Sequence, residues 1–135
     1  MMNEPDLIHA LLTQPATIAV IGLSPDSGKP SHYVPAYMQQ HGYRILPVNP
    51  VADTVLGETC YPTLAALPIK SDIVNVFRLP RYIPAIVDEM LQLGLSNLWI
   101  QSGIVNLEAA AKAEAGGIHV VMDRCIMVEH RRIAR

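Results

Sequence analysis

TIAVIGLSPDSGKPS, residues Thr17 to Ser31, decides how the rest of this chain is read. It opens on an apolar, β-branched run from Ile18 to Ile21, the pattern of a parallel strand buried on both faces. Gly22 turns the chain, and a polar loop of Ser24, Pro25, Asp26, Ser27, Gly28 and Lys29 leads to a helix expected near Ser31. Strand, glycine turn, loop and helix start together make an anion site. The N–H groups at the head of a helix lack intrahelical partners, and the helix dipole favours negative charge there.

Outward from that stretch, strands and helices alternate. Further strands are expected at Tyr43 to Val48, Asp72 to Phe77, Asn97 to Gln101 and Ile118 to Met122. Leu7, Ile8, Leu11 and Leu12 mark one face of a helix over 4–13, with Asp6 as its cap and Pro15-Ala16 leading into the first strand. Tyr33, Val34, Tyr37 and Met38 mark the helix after the loop, which Gly42 ends; Pro35 predicts an irregular first turn. A short helix is expected at Thr63 to Leu67. A longer one runs from Pro80 to Leu93, with Ile83, Ile86, Val87, Met90 and Leu91 inward and Gly94 as its stop. Asn106 to Ala115 is an alanine-rich helix ended by Gly116-Gly117, and a terminal helix starts near Asp123.

Strands that are apolar on both faces imply a parallel sheet covered on both sides. The expected fold is therefore α/β, a single Rossmann-like, doubly wound parallel sheet of five strands in the order 3-2-1-4-5, with helices on both faces. Residues 1–135 read as one domain, with an N-terminal helix in 1–15 and a C-terminal helix and basic tail in 123–135. There is no internal repeat, low-complexity tract or linker.

Half of the residues are hydrophobic and 16% are charged, which excludes a disordered chain. A net charge of −2 argues against a nucleic-acid or membrane-surface partner. His130, Arg131, Arg132 and Arg135 form the basic cluster, which a solvated helix end explains. Cys60 and Cys125 are too few for a disulfide scaffold. No apolar run reaches the roughly 18 residues of a membrane span. Glu4, Pro5 and Asp6 stand where a secretion signal would be basic and then apolar. The expectation is a reduced, cytoplasmic protein.

In an open α/β sheet the ligand lies beyond the carboxyl ends of the strands, where strand order reverses. Ser24, Ser27, Lys29, Asn49, Arg78, Gln101 and Arg124 are the polar residues expected to converge on that edge. A dinucleotide fingerprint fits poorly. Gly22-Leu23-Ser24 lacks its second glycine, and the second strand ends in Asn49-Pro50 instead of an acid for the ribose. A Walker loop also fails, because five residues separate Gly22 from Gly28 and Pro30 follows Lys29 where a magnesium-binding hydroxyl belongs. What remains is another kind of phosphate cradle, with Lys29 as a point charge and Arg78 as a planar fork.

IAVIGLSPDSGKPSHYV, GYRILPVNP, GETCYPTL, DIVNVFRLP, IPAIVDEMLQLG, WIQSGIVNLEAA and VVMDRCIMVEH, in this order over Thr17 to His130, resemble the small stand-alone CoA-binding domain proteins. Those are similar to the CoA-binding domain of the succinyl-CoA synthetase alpha subunit. The resemblance implies coenzyme A or an acyl-CoA as ligand. It implies Gly22, Leu23, Ser24, Ser27, Lys29 and Ser31 at the pyrophosphate. Asn49, Pro50, Phe77 and Arg78 then border adenine and ribose, with Pro80 and Ile83 closing the pocket. Gln101 and Gly103 lie along the pantetheine arm, near Met122, Arg124 and Cys125. Ser102, usually apolar in the family, and Pro35, usually a helix-friendly residue, depart from the pattern.

No catalytic residue or metal site is expected. The synthetase's phosphorylated histidine lies in a later domain. His9, His41 and His119 fall outside the expected site, His32 follows the loop and His130 lies in the tail. Asp123 and Glu129 are expected to pair with Arg124 and Arg132. Cys125 is the candidate reactive thiol, set between Arg124 and a helix start, although most lone cysteines are small buried hydrophobes. The function expected is CoA or acyl-CoA binding without turnover. The alternatives are an enzyme component that works with an acyl-CoA ligase or transferase partner, and an NAD(P)-binding redox sensor. A homodimer is compatible with the sequence.

Overall fold

The computed structural model describes residues 2–14 and 16–134; the readings made for Pro15 and Arg135 fall outside them. Along the chain lie α1 (Pro5–Leu12), β1 (Thr17–Ile21), α2 (Pro30–Gln40) and β2 (Arg44–Val48). A small hairpin follows, β3 (Thr54–Val55) with β4 (Glu58–Thr59), then a 3₁₀ turn at Leu64–Ala66 and β5 (Ile73–Val76). A second 3₁₀ turn at Pro80–Tyr82 leads into α3 (Ile83–Leu93), followed by β6 (Asn97–Ile100), α4 (Leu107–Ala115), β7 (His119–Met122) and α5 (Ile126–Ile133).

Five parallel strands form the sheet in the order β2-β1-β5-β6-β7. Counting these five alone, the order is 2-1-3-4-5, and the expected 3-2-1-4-5 is corrected. The third strand crosses to the far side of the first, so β2 is an edge strand. Pro47 carries the physical reason. Proline has no N–H to donate and is tolerated in a sheet only where one flank needs no ladder bond. On that outer flank the Pro47 carbonyl accepts from the Tyr61 N–H at 2.9 Å, while the Asn49 N–H donates to the Tyr61 carbonyl at 2.9 Å. The opposite edge is covered by the N-terminal segment. Asn3 donates through its side-chain amide to the Met122 carbonyl at 3.0 Å and accepts from the Met122 N–H at 2.7 Å.

Side chains alternate along each strand, and both sets are apolar, as the sequence predicts. Val74, Val76, Leu98, Ile100 and Val120 face Ile83, Val87 and Met90 of α3 and Ala109, Ala110 and Ala113 of α4. Ile18, Val20, Ile73, Trp99 and Val121 face Ile8 and Leu12 of α1, Val34 and Met38 of α2 and Ile126 of α5. The fully buried Trp99 donates its indole N–H to the Arg124 carbonyl at 2.9 Å. Among the described residues no helix is long and apolar enough to cross a membrane.

Several local expectations shift. Glu4, not Asp6, is the N-cap of α1 and makes no side-chain cap bond. Helix α2 begins at Pro30, near Ser31 as expected, with Lys29 as its cap, and proline is well suited to the first helical position. Leu91 is 37% exposed instead of inward. Glu129 pairs with both Arg124, at 3.2 Å, and Arg132, at 3.0 Å, whereas Asp123 accepts from the Gly103 N–H at 2.7 Å.

Helices α2 and α5 meet at an aromatic knot. Tyr37 Oη lies 2.8 Å from His130 Nδ1, and the His41 and Tyr43 rings also contact His130. Burial, reinforced by the charge of His41, holds the His130 imidazole below its ordinary value of 6.5. The knot therefore favours neutral His130. Its contribution to stability is complete above pH 6.5 and is lost as pH falls through the lower folded value. Urea midpoints taken between about pH 7.5 and about pH 5 should fall more steeply for the native chain than for His130→Gln.

Candidate functional site

The topological switch point lies between the neighbouring strands β1 and β5, and the loops after their carboxyl ends meet there. Gly22 has φ +87, and a Cβ placed on it would stand 2.6 Å from the Phe77 carbonyl oxygen and 3.2 Å from Arg78 Cδ. The first loop can lie against the third-strand loop only because residue 22 carries no side chain. The Gly22 N–H donates to the Val48 carbonyl at 3.2 Å and the Phe77 N–H to the Ile21 carbonyl at 2.9 Å, so three strand ends are tied together.

The loop from Leu23 to Lys29 is held by its own polar groups. Ser24 Oγ accepts from the Asp26 N–H at 3.0 Å, and Asp26 Oδ1 accepts from the Gly28 N–H at 2.9 Å. The Ser24 N–H donates to the Ser31 carbonyl at 3.1 Å. That carbonyl is free for the loop because its helical partner would be the N–H of residue 35, which is proline. The helix runs on from Pro30 to Gln40 without the irregular first turn expected at Pro35, and the carbonyl that Pro35 leaves free serves the loop. His32 donates from Nδ1 to the Ser24 carbonyl at 2.7 Å; a carbonyl can only accept, which places the proton on Nδ1. Asn49 is similarly committed. Its Oδ1 accepts from the Val51 and Ala52 N–H groups at 2.8 and 3.2 Å, and its Nδ2 donates to the Leu23 carbonyl at 2.9 Å.

Two clefts open along this edge. The larger, about 630 Å³, is lined by Lys29, Ser31, Tyr33 and Val34 of the α2 start, by Phe77, Arg78 and Leu79, by Gln101, Ser102 and Ile104, and by Cys125, Met127 and Val128. The smaller, about 460 Å³, is lined by Gly22, Leu23, Ser24, Asn49, Pro50, Val51, Pro62, Tyr82 and Ile86. Arg78 borders both. Its guanidinium carbon lies 4.2 Å from the centroid of the Tyr82 ring, with the Arg81 guanidinium at 4.9 Å. The hydrogen bond from Arg81, aided by the charges of Arg81 and Arg78, holds the Tyr82 phenol below its ordinary value.

The structure thus brings Gly22, Leu23, Ser24, Lys29, Ser31, Asn49, Pro50, Phe77, Arg78 and Gln101 to one edge. Others of the expected set stand elsewhere. Ser27 is exposed at the loop tip, and Ile83, the first residue of α3, is fully buried in the core. Pro80 accepts through its carbonyl from Asn106 Nδ2 at 2.9 Å, and Met122 is buried with its sulfur accepting from the Asn106 N–H at 3.4 Å. Gly103 borders neither cleft. Arg124 turns to Glu129 and a small cavity against α1.

Tyr33, Met127 and Tyr82 are cleft residues not foreseen from the sequence. Each lies within a few residues of a foreseen loop, on the first turn of the helix or 3₁₀ turn that follows it. Asn75, read as part of an apolar strand, is 1% exposed and donates through Nδ2 to Gln101 Oε1 at 3.1 Å and to the Trp99 carbonyl at 3.3 Å. Gln101 Oε1 also accepts from the Ile126 N–H at 3.0 Å and so caps α5.

Residues 16–131 match the sequence pattern of a family described as CoA binding domain. An uncharacterised protein of Bacillus subtilis, YneT, is 40% identical over 123 residues, which cover 91% of each chain. An ADP-forming acetate–CoA ligase II of Archaeoglobus fulgidus is 33% identical over 112 residues; these cover 82% of this chain and 16% of the ligase. The chain therefore corresponds to a small part of that larger enzyme. A solved structure from Thermus thermophilus is 42% identical, with a TM-score of 0.90 over 98% of this chain and 99% of the other.

Because left-handed strain and the collision with Phe77 add, Gly22→Ala should cost about 3 kcal/mol of folding stability. Urea titration should register this as a lower midpoint at an unchanged slope.

Proposed function

The chain belongs to the CoA-binding domain family, and from that premise we propose that it binds coenzyme A or an acyl-CoA across the two clefts, without turnover of its own. The observation that carries this reading is the position of Arg78, which borders both clefts and is joined along the larger one by Lys29. CoA has a flat base, several phosphates and a long, partly apolar arm. Charge at the junction of two clefts suits phosphates in the middle of such a ligand. The smaller cleft, with the Tyr82 ring and the Asn49-Pro50 turn, suits the nucleotide. The larger one, walled by Val34, Phe77, Ile104 and Met127, suits the arm.

The phosphate loop contributes differently from a P-loop. The N–H groups of Asp26, Gly28 and Lys29 donate within the loop or to its neighbours, so the loop is a rigid wall more than a ring of donors. Ser31, at the second position of α2, has an N–H with no intrahelical carbonyl to meet, and its hydroxyl stands beside the larger cleft. Ser31, Lys29 and Arg78 are the groups assigned to phosphate.

A second reading has one supporting observation, the 33% identity to part of an acetate–CoA ligase. In that reading the chain presents its thioester to a partner that supplies the chemistry.

Calorimetric titration of the reduced protein with CoA should give saturable binding at one site. Arg78→Ala should weaken it about 10- to 100-fold, as expected for hydrogen bonds to a charged group. Lys29→Ala should weaken it less, and added salt should weaken the native chain more than either variant. A folded protein that ignores millimolar CoA would overturn the reading. Binding of NAD or NADP in its place would favour the redox alternative.

A further inference from the structure

The larger cleft is lined by a thiol and by a carboxamide whose donor side has no protein partner among the described residues. Gln101 is 4% exposed. Both groups that approach its oxygen, Asn75 Nδ2 and the Ile126 N–H, are donors, and only the carboxamide oxygen can accept them. This fixes the orientation of the amide. The NH₂ group is turned away from them, on the side of the cleft that Gln101 lines, and no acceptor among the described residues takes its hydrogens. Cys125 lines the same cleft, immediately before the residue that Gln101 caps. It is a free cysteine at the N-cap of α5, and its side chain makes no cap bond. An amide donor with no acceptor among the described residues and a free thiol therefore line one cleft, where a carbonyl and a sulfur of a bound ligand would meet them.

Resting on the CoA reading above, we infer that Cys125 is a thiol-exchange site that holds CoA covalently in the larger cleft as a mixed disulfide. The arm of CoA offers amide carbonyls for the Gln101 NH₂ group and ends in a thiol. The co-reactant is the symmetrical disulfide of CoA. The Cys125 thiolate attacks one sulfur of that disulfide. A bond forms between Sγ and this sulfur, the original S–S bond breaks, and the second CoA leaves as a thiolate that takes up the proton given up by Cys125. Cysteine is oxidised, one CoA sulfur is reduced, and no further oxidant is needed. Free thiol in excess reverses the step and returns the chain to reversible binding.

Cys60 provides the internal comparison. It is the other free thiol, partly buried and outside both clefts, and burial together with the Asp53 charge pushes its thiol up, away from the reactive thiolate.

The full chain, reduced and freed of reductant, should be mixed with CoA disulfide or with cystamine, which has the same S–S bond but no nucleotide or pantetheine amide. Intact-protein mass spectrometry should show a gain of one CoA less two hydrogens, mapped to Cys125, formed at least about tenfold faster than the cystamine adduct and reversed by dithiothreitol. Cys60→Ser should form the CoA adduct as the native chain does, and Cys125→Ser should not. Equal rates with the two disulfides would overturn the inference, as would an adduct at Cys60. Absence of an adduct in a chain that binds CoA by calorimetry would overturn this inference alone. Absence of calorimetric binding would instead count against the CoA reading on which it rests.

Discussion

At the carboxyl edge of the sheet, the carbonyl of Phe77 occupies the space in which a side chain at residue 22 would stand, 2.6 Å from its Cβ. The site depends on that approach. It draws the loop after β1 against the loop after β5, and Arg78 then follows directly into the angle between two clefts. The turn has to run through positive φ, which glycine tolerates and L side chains resist. One residue therefore couples the strand crossover to the placement of charge. In a 3-2-1-4-5 sheet the third strand would lie two places from the first, and these loops would not touch.

The second constraint is the closure of the polar loop onto its own helix. A helix normally uses the carbonyl of its second residue for the N–H four positions on. Pro35 has none, and the Ser31 carbonyl receives the Ser24 N–H instead. The His32 ring adds a second tie to the Ser24 carbonyl. A proline that weakens the helix as a helix thus frees an acceptor that fixes the loop. The sequence marks Pro35 as an irregularity; what it does there depends on a partner eleven positions upstream, which no periodicity reveals.

The α/β class, the five strands and most helix limits were legible because they are written in local pattern: apolar runs, a Gly94 stop in left-handed conformation, an Asn106 cap whose Oδ1 accepts from the Ala109 N–H at 3.0 Å. Strand order was not, since it depends on contacts between segments far apart. Yet Pro47 carried a signal, because a proline in the second strand argues for an edge position. The loops of the site were also legible, since position at the carboxyl edge follows from strand ends alone. Which side chains in those loops face the clefts was less so. Arg124 looks like a ligand residue until Glu129, buried on α5, claims it. Asn75 hides in an apolar run because a single polar residue does not disturb the pattern of a buried strand.

The polar groups of the site divide into two kinds. Asn49, His32, Asp26, Asn75 and the oxygen of Gln101 all have protein partners, so each is held in place by the architecture and holds it in turn. His32 borders neither cleft, with its Nδ1 proton engaged by the Ser24 carbonyl, and His130 lies in a knot at the far side of α2 and α5. What faces the clefts with capacity left over is positive charge from Lys29 and Arg78, the hydroxyl of Ser31, the NH₂ of Gln101 and the thiol of Cys125. Charges, a hydroxyl and an amide donor are instruments of recognition. The thiol differs from them in its chemistry, since a bond from Cys125 to another sulfur forms and breaks by exchange.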